Sequence, residues 1–128
     1  MKLLLDTHVL LWVAEGTLPK SAEKYILDES NTLLFSSASI WEIVIKRALN
    51  RSGFNADPRL LLNGLLENGY EQLYITARHT LQLDTLPIIH KDPFDRILIA
   101  QSIDESIPLL TFDSLLAQYP AQVIFIQK

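Results

Sequence analysis

The chain has 128 residues, 48% of them hydrophobic and 20% charged, with a net charge of −4 and no cysteine. That length and balance fit one soluble globular domain, residues 1–128, able to bury roughly 68% of the surface its unfolded form exposes. Lack of cysteine excludes disulfides, thiolate metal sites and cysteine nucleophiles together. The negative charge argues against nucleic-acid binding through the whole surface, though not through a local basic groove.

In chain order, Lys2–Leu5 reads as a strand and Thr7–Glu15 as a helix. The opening MKLLLDTHVLLWVAEG is interrupted by Asp6 and His8, and no small-residue cleavage site follows, so it reads as part of the fold rather than a signal peptide. No stretch approaches the ~18 apolar residues of a membrane span, and the expected location is the cytoplasm. Residues 19–30 form a second helix, with Pro19 in its first turn. Thr32–Ser36 is strand-like, 37–50 helical, and RSGFNADP at 51–58 a helix connection. A helix at 59–68, a strand at 72–76 and a helix at 77–83 precede a loop at 84–91. Pro93–Glu105 is a helix, 107–112 a strand, 114–119 a short helix and 123–126 a last strand. Strands alternating with helices imply βαβ units and an α/β fold with a mainly parallel sheet covered on both faces.

In such a sheet, ligands bind outside the carboxyl ends of the strands. Asp6 and Asp113 directly follow strands, Glu42 lies early in the helix after Thr32–Ser36, and Asp95 sits in the first turn of the helix starting at Pro93. Each acid alone has a bland explanation. Asp6 and Asp113 suit N-caps. Ser39-Ile40-Trp41-Glu42 has the form of a capping box, and Glu42 suits an i,i+4 pair with Lys46. Asp92-Pro93-Phe94-Asp95 is a sound helix start. Caps do not explain the set of four at one edge. Carboxylates brought together repel each other, and a divalent cation relieves the repulsion. Oxygen ligands without zinc-spaced histidines (His8, His79, His90) favour Mg²⁺ or Mn²⁺, which suit phosphodiester hydrolysis. The groups Lys46/Arg47/Arg51 and His90/Lys91/Arg96 read as solvated surface.

The segments KLLLDTHVLLW, SSASIWEIVIK, HKDPFDRILIAQS and IPLLTFD together resemble the four acidic motifs of PIN domains, and more narrowly those of VapC-like toxins of bacterial toxin–antitoxin pairs. The resemblance covers essentially the whole chain. It implies a three-layer α/β/α sandwich, Mg²⁺- or Mn²⁺-dependent cleavage of RNA, homodimerisation, and inhibition by a cognate antitoxin. It assigns Asp6, Glu42, Asp95 and Asp113 to the catalytic metal site, with Thr111 as a supporting hydroxyl. HKDPFDR departs from the single acid common in the third motif, which makes Asp92 a candidate auxiliary ligand beside Asp95. The apolar residues Ile40, Trp41, Val44, Ile45, Ala48 and Leu49 cover a wider arc than one core needs, which points to a dimer or to a helix buried wholly within the monomer. The alternative is a PIN-like module that binds RNA or a partner without cutting. A haloacid-dehalogenase-type phosphatase fits less well, since His8 stands where its second Asp is required. A receiver domain lacks its paired acids and late lysine here.

Overall fold

The structure is a computed structural model and describes residues 1–127. Among these, five strands alternate with six helices: β1 Lys2–Leu5, α1 Thr7–Glu15, α2 Lys20–Ile26, β2 Thr32–Ser36, α3 Ser37–Ala48, α4 Pro58–Glu67, β3 Glu71–Leu73, α5 Ala77–Gln82, α6 Pro93–Glu105, β4 Leu109–Thr111 and β5 Val123–Phe125. All strands are parallel, in the order β3-β2-β1-β4-β5. The three leucines of β1 are fully buried, as a central parallel strand covered on both faces requires.

Side chains alternate across a strand, so β1 feeds two cores. Leu3 and Leu5 pack with Val9, Leu10, Ile43, Leu61 and Leu65 of the α1, α3 and α4 layer. Leu4 packs on the other face with Leu98, Ile99 and Leu109, below α6. This is the expected three-layer α/β/α sandwich. Chirality explains the layers: the chain steps from β1 to β2 to β3 in one direction, then reverses to β4, and right-handed crossovers therefore put the later helices on the opposite face. The order reverses between β1 and β4, and a crevice opens there at the carboxyl edge. Register pairs Leu5 with Leu110, which brings Asp6 and Thr111 side by side one step further on.

Local chemistry explains most boundaries. α1 ends where Gly16 takes a left-handed conformation with φ 71° and its N–H turns back to Trp12 and Val13 carbonyls. Asp92 caps α6 through Phe94 N–H at 2.8 Å, with Pro93 at the first helical position. Five expectations change. The helix expected over 19–30 stops at Ile26, because Asp28 accepts from both the N–H and the hydroxyl of Ser30 and closes a turn. The strand expected over 72–76 ends at Leu73, because the Thr76 N–H is taken by His79 Nδ1 in the capping box of α5. The strand expected over 107–112 shortens to three residues, and the helix expected over 114–119 tightens to a 3₁₀ turn at Leu116–Gln118. Ser36 rather than Ser39 caps α3; Ser39 lies inside the helix and accepts from the Thr7 hydroxyl at 2.9 Å, tying α1 to α3.

Candidate metal centre at the carboxyl edge of the sheet

The crevice between β1 and β4 is lined by acids, each placed by a different element. Asp6 is the buried N-cap of α1. One of its carboxylate oxygens accepts from Val9 N–H at 2.9 Å, and the other accepts from the Thr111 hydroxyl across the β1–β4 gap. Thr111 in turn accepts from Asp113 N–H at 3.0 Å, so one hydroxyl connects two of the acids. Burial raises the Asp6 carboxyl above its ordinary value, against the lowering effect of those two hydrogen bonds.

Glu42 projects from α3 and is buried. Its Oε2 receives Lys46 Nζ at 2.5 Å, one helical turn on, while its Oε1 is buried with no hydrogen-bond partner. Lys46 Nζ also reaches Asp92 Oδ2 at 2.9 Å and lies over the rings of Phe54 and Phe94, at 5.1 and 5.7 Å from their centroids. Desolvation alone would lower the lysine, but the bonds to Glu42 and Asp92 raise it above the usual value. Both oxygens of Asp92 are therefore engaged, one as the cap of α6 and one with Lys46. Burial opposes its ionisation, yet the Lys46 and Phe94 bonds hold it below the ordinary carboxylate value.

Asp95 sits one turn into α6 and faces the other acids. Burial raises it first, then the charges of Asp92, Glu42, Asp6 and Asp113, to about 8. Asp113 closes the crevice from the end of β4, with Oδ1 accepting from Leu115 N–H at 2.9 Å. His90 joins them. Its Nε2 lies 3.0 Å from Asp113 Oδ2 and 3.2 Å from Asp95 Oδ2, and its Nδ1 accepts from Asp92 N–H at 3.1 Å. Among the described residues, the ligand atoms of His90, Asp95 and Asp113 lie within 4.8 Å of one another. A second such group, His79, Asp104 and Glu105, lies away from the crevice between α5 and α6.

The four acids read from the sequence thus converge electrostatically on Asp95, with Thr111 in support. Two neighbours expected to be solvated surface are not. Lys46 is largely buried, and His90 is bonded to Asp113 and lies against Asp95. The i,i+4 spacing signals the Lys46–Glu42 contact; nothing in the local pattern signals His90. Arg96 is also engaged, through Nη1 to the Pro87 carbonyl at 3.1 Å. The residues fit a divalent cation. Glu42 Oε1 is a buried oxygen without a partner, Asp95 resists ionisation among like charges, and the acids supply oxygen donors suited to a hard ion.

A reversed-order parallel sheet with an acid-lined crevice at its switch point defines the class: a doubly wound α/β protein with its site at the carboxyl edge. The chain belongs to the PIN domain family, whose model matches residues 3–122. Solved structures agree in fold. A chain of VapBC2 from Rickettsia felis, bound to a DNA fragment from its promoter, is 16% identical and superposes with a TM-score of 0.74 over 99% of this chain and 100% of that one. VapBC-5 from Mycobacterium tuberculosis is 17% identical, with a TM-score of 0.65 over 99% and 98%. VapC20 from the same organism, a Sarcin-Ricin loop cleaving toxin, is 13% identical, with a TM-score of 0.63 over 91% and 95%. No curated protein matches the sequence.

Proposed function

We propose that this PIN domain is a divalent-metal-dependent endoribonuclease and the toxin of a toxin–antitoxin pair, with Asp6, Glu42, Asp95 and Asp113 holding Mg²⁺ or Mn²⁺. The observation that carries the metal reading is Asp95, a carboxyl raised to about 8 by its surroundings, next to a buried Glu42 oxygen with no partner. Such an excess of negative charge suits a hard cation. When bound, the cation supplies a water of lowered pKa and neutralises charge on a phosphate oxygen. The chain's own residues prepare the site. Thr111 orients Asp6, Lys46 fixes one oxygen of Glu42 and leaves the other free, and Asp92 serves as cap and counter-ion rather than ligand.

RNA as substrate is supported by family membership and by the cleaving activity printed for the VapC20 relative. An antitoxin partner is supported by the VapBC complexes among the similar structures. A basic side chain of that partner has an acidic crevice to enter. The surface of α3 supports a homodimer, since Trp41, Val44, Ile45 and Leu49 are all exposed on it. No helix among the described residues is long and apolar enough to cross a membrane, which agrees with a cytoplasmic site of action. A module that binds without cutting has no use for a repulsive acid cluster, which favours the nuclease reading.

The test is cleavage of a generic RNA by the purified chain. Cleavage should need Mn²⁺ or Mg²⁺, stop with EDTA and return when the ion is restored. Cleavage unaffected by EDTA refutes the metal role, and a folded, metal-loaded protein that leaves RNA intact refutes the nuclease reading. Growth arrest on expression should accompany cleavage; cleavage without arrest refutes the toxin assignment alone.

A further inference from the structure

We propose that His90 stands in for the cation: its Nε2–H is donated to Asp113 beside Asp95 in the ion-free protein, and a divalent ion must displace it to bind. This inference rests on the metal reading above.

The tautomer carries the argument. A neutral imidazole has one N–H and one lone pair. At His90 the lone pair is on Nδ1, which accepts from the backbone N–H of Asp92 at 3.1 Å. The proton is therefore on Nε2 and is donated to Asp113 Oδ2 at 3.0 Å, with Asp95 Oδ2 close by at 3.2 Å. A histidine that ligates a metal does the reverse: it offers a lone pair to the ion and donates its other N–H to an acceptor. Here the other nitrogen faces a donor, so His90 as placed is a hydrogen-bond donor and not a ligand.

That orientation is imposed from outside the acid cluster. Asp92 N–H belongs to the N-cap of α6. The backbone of the same segment is pinned by the Tyr119 hydroxyl, which accepts from His90 N–H at 2.8 Å and Ile89 N–H at 3.3 Å. Arg96 fixes Pro87 next to it. The other acids have side-chain donors of their own, Thr111 for Asp6 and Lys46 for Glu42, and His90 is the one that serves Asp113 Oδ2, next to Asp95. The group around His79 follows the same logic. Its Nδ1 accepts from Thr76 N–H at 3.0 Å while Nε2 faces Glu105 at 3.3 Å, so that cluster also lacks a nitrogen lone pair for an ion.

If the N–H and the ion compete for the same carboxylates, removing the N–H strengthens ion binding. A ligand histidine gives the opposite sign. Hydrogen bonds to charged groups are strong enough that a change of about tenfold in affinity, about 1.4 kcal/mol, is expected. The experiment is Mn²⁺ titration calorimetry on the whole chain as wild type, His90→Ala and His90→Gln, with thermal melts confirming that each is folded. His90→Ala should bind Mn²⁺ about tenfold tighter. His90→Gln keeps an N–H donor and should stay nearer the wild type. Pulsed EPR of wild-type Mn²⁺ should show no imidazole nitrogen coupling, a readout that stands even if a variant fails to fold. Equal or weaker binding by His90→Ala, or nitrogen coupling in the wild type, overturns the role of His90 alone. A wild type that does not bind millimolar Mn²⁺ overturns the metal reading itself, and this inference with it.

Discussion

Replacing Asp95 by Asn measures how much stability the acid cluster takes from the ion-free protein. Burial, followed by the charges of Asp92, Glu42, Asp6 and Asp113, raises this carboxyl from 3.8 to about 8. A raised carboxyl keeps its proton in the native state at pH values where the unfolded chain has lost it. Its stabilising effect is thus fully present below about pH 4 and is lost as the pH rises towards 8. At about 1.4 kcal/mol per pH unit, the loss by pH 7 approaches about 4 kcal/mol. The side chain is one-fifth exposed, and water at that edge brings the expected figure to about 2–4 kcal/mol. Asn keeps the shape and cannot ionise, so the variant avoids the loss. In EDTA, urea denaturation followed by tryptophan fluorescence should give matching stabilities near pH 4. By pH 7 the variant should be ahead by about 2–4 kcal/mol. Adding Mn²⁺ should narrow or reverse the gap, since only the intact site gains fully from ion binding. Parallel pH profiles for the two proteins, or a variant less stable at pH 7 in EDTA, would refute the reasoning.

Lys46→Met removes the cation that pairs Glu42 with Asp92 and leaves a buried carboxylate uncompensated. Denaturation in EDTA at neutral pH should show a loss of about 3–5 kcal/mol, partly restored by Mn²⁺. Thr111→Val keeps the volume but deprives Asp6 of its donor and Asp113 N–H of its acceptor. Stability should fall by about 1–3 kcal/mol and Mn²⁺ affinity should fall with it, as read by calorimetry. Asp92→Ala should cost about 0.5–2 kcal/mol in denaturation for the lost cap of α6, while reducing RNA cleavage far less than Asp95→Asn does.

What could be read from the sequence was what local chemistry decides. Asp92-Pro93 marks the start of α6 to the residue, because a capping side chain and a fixed φ act within one turn. The acids were legible because strand ends share an edge in any parallel sheet, whatever the loop conformations. His90 was not, because its role depends on how the segment before α6 is held by the Tyr119 hydroxyl, 29 residues away in the chain. Lys46 was half legible. Its pairing with Glu42 follows from helix spacing, but its burial depends on Phe54 folding back from the α3–α4 connection. Ser39 misled for a related reason: the motif has the form of a cap, but the chain is already helical two residues earlier, and its hydroxyl faces Thr7 instead.

The hydrogen bond between Thr111 and Asp6 spans 105 residues, and it joins the first strand to the fourth. During synthesis β1 emerges first and can pair with β2 soon after, yet its other edge waits for β4. Closing so long a loop is slow relative to the local pairings, although its entropic cost grows only slowly with length. Until it closes, Asp113 is absent from the crevice, Asp6 lacks its hydroxyl donor, and one side of the central strand is open to the wrong partner. A nascent or truncated chain that stops short of β4 therefore carries Asp6, Glu42 and Asp95 without the wall that completes their site. Assembly of the acid cluster is tied by topology to the arrival of β4.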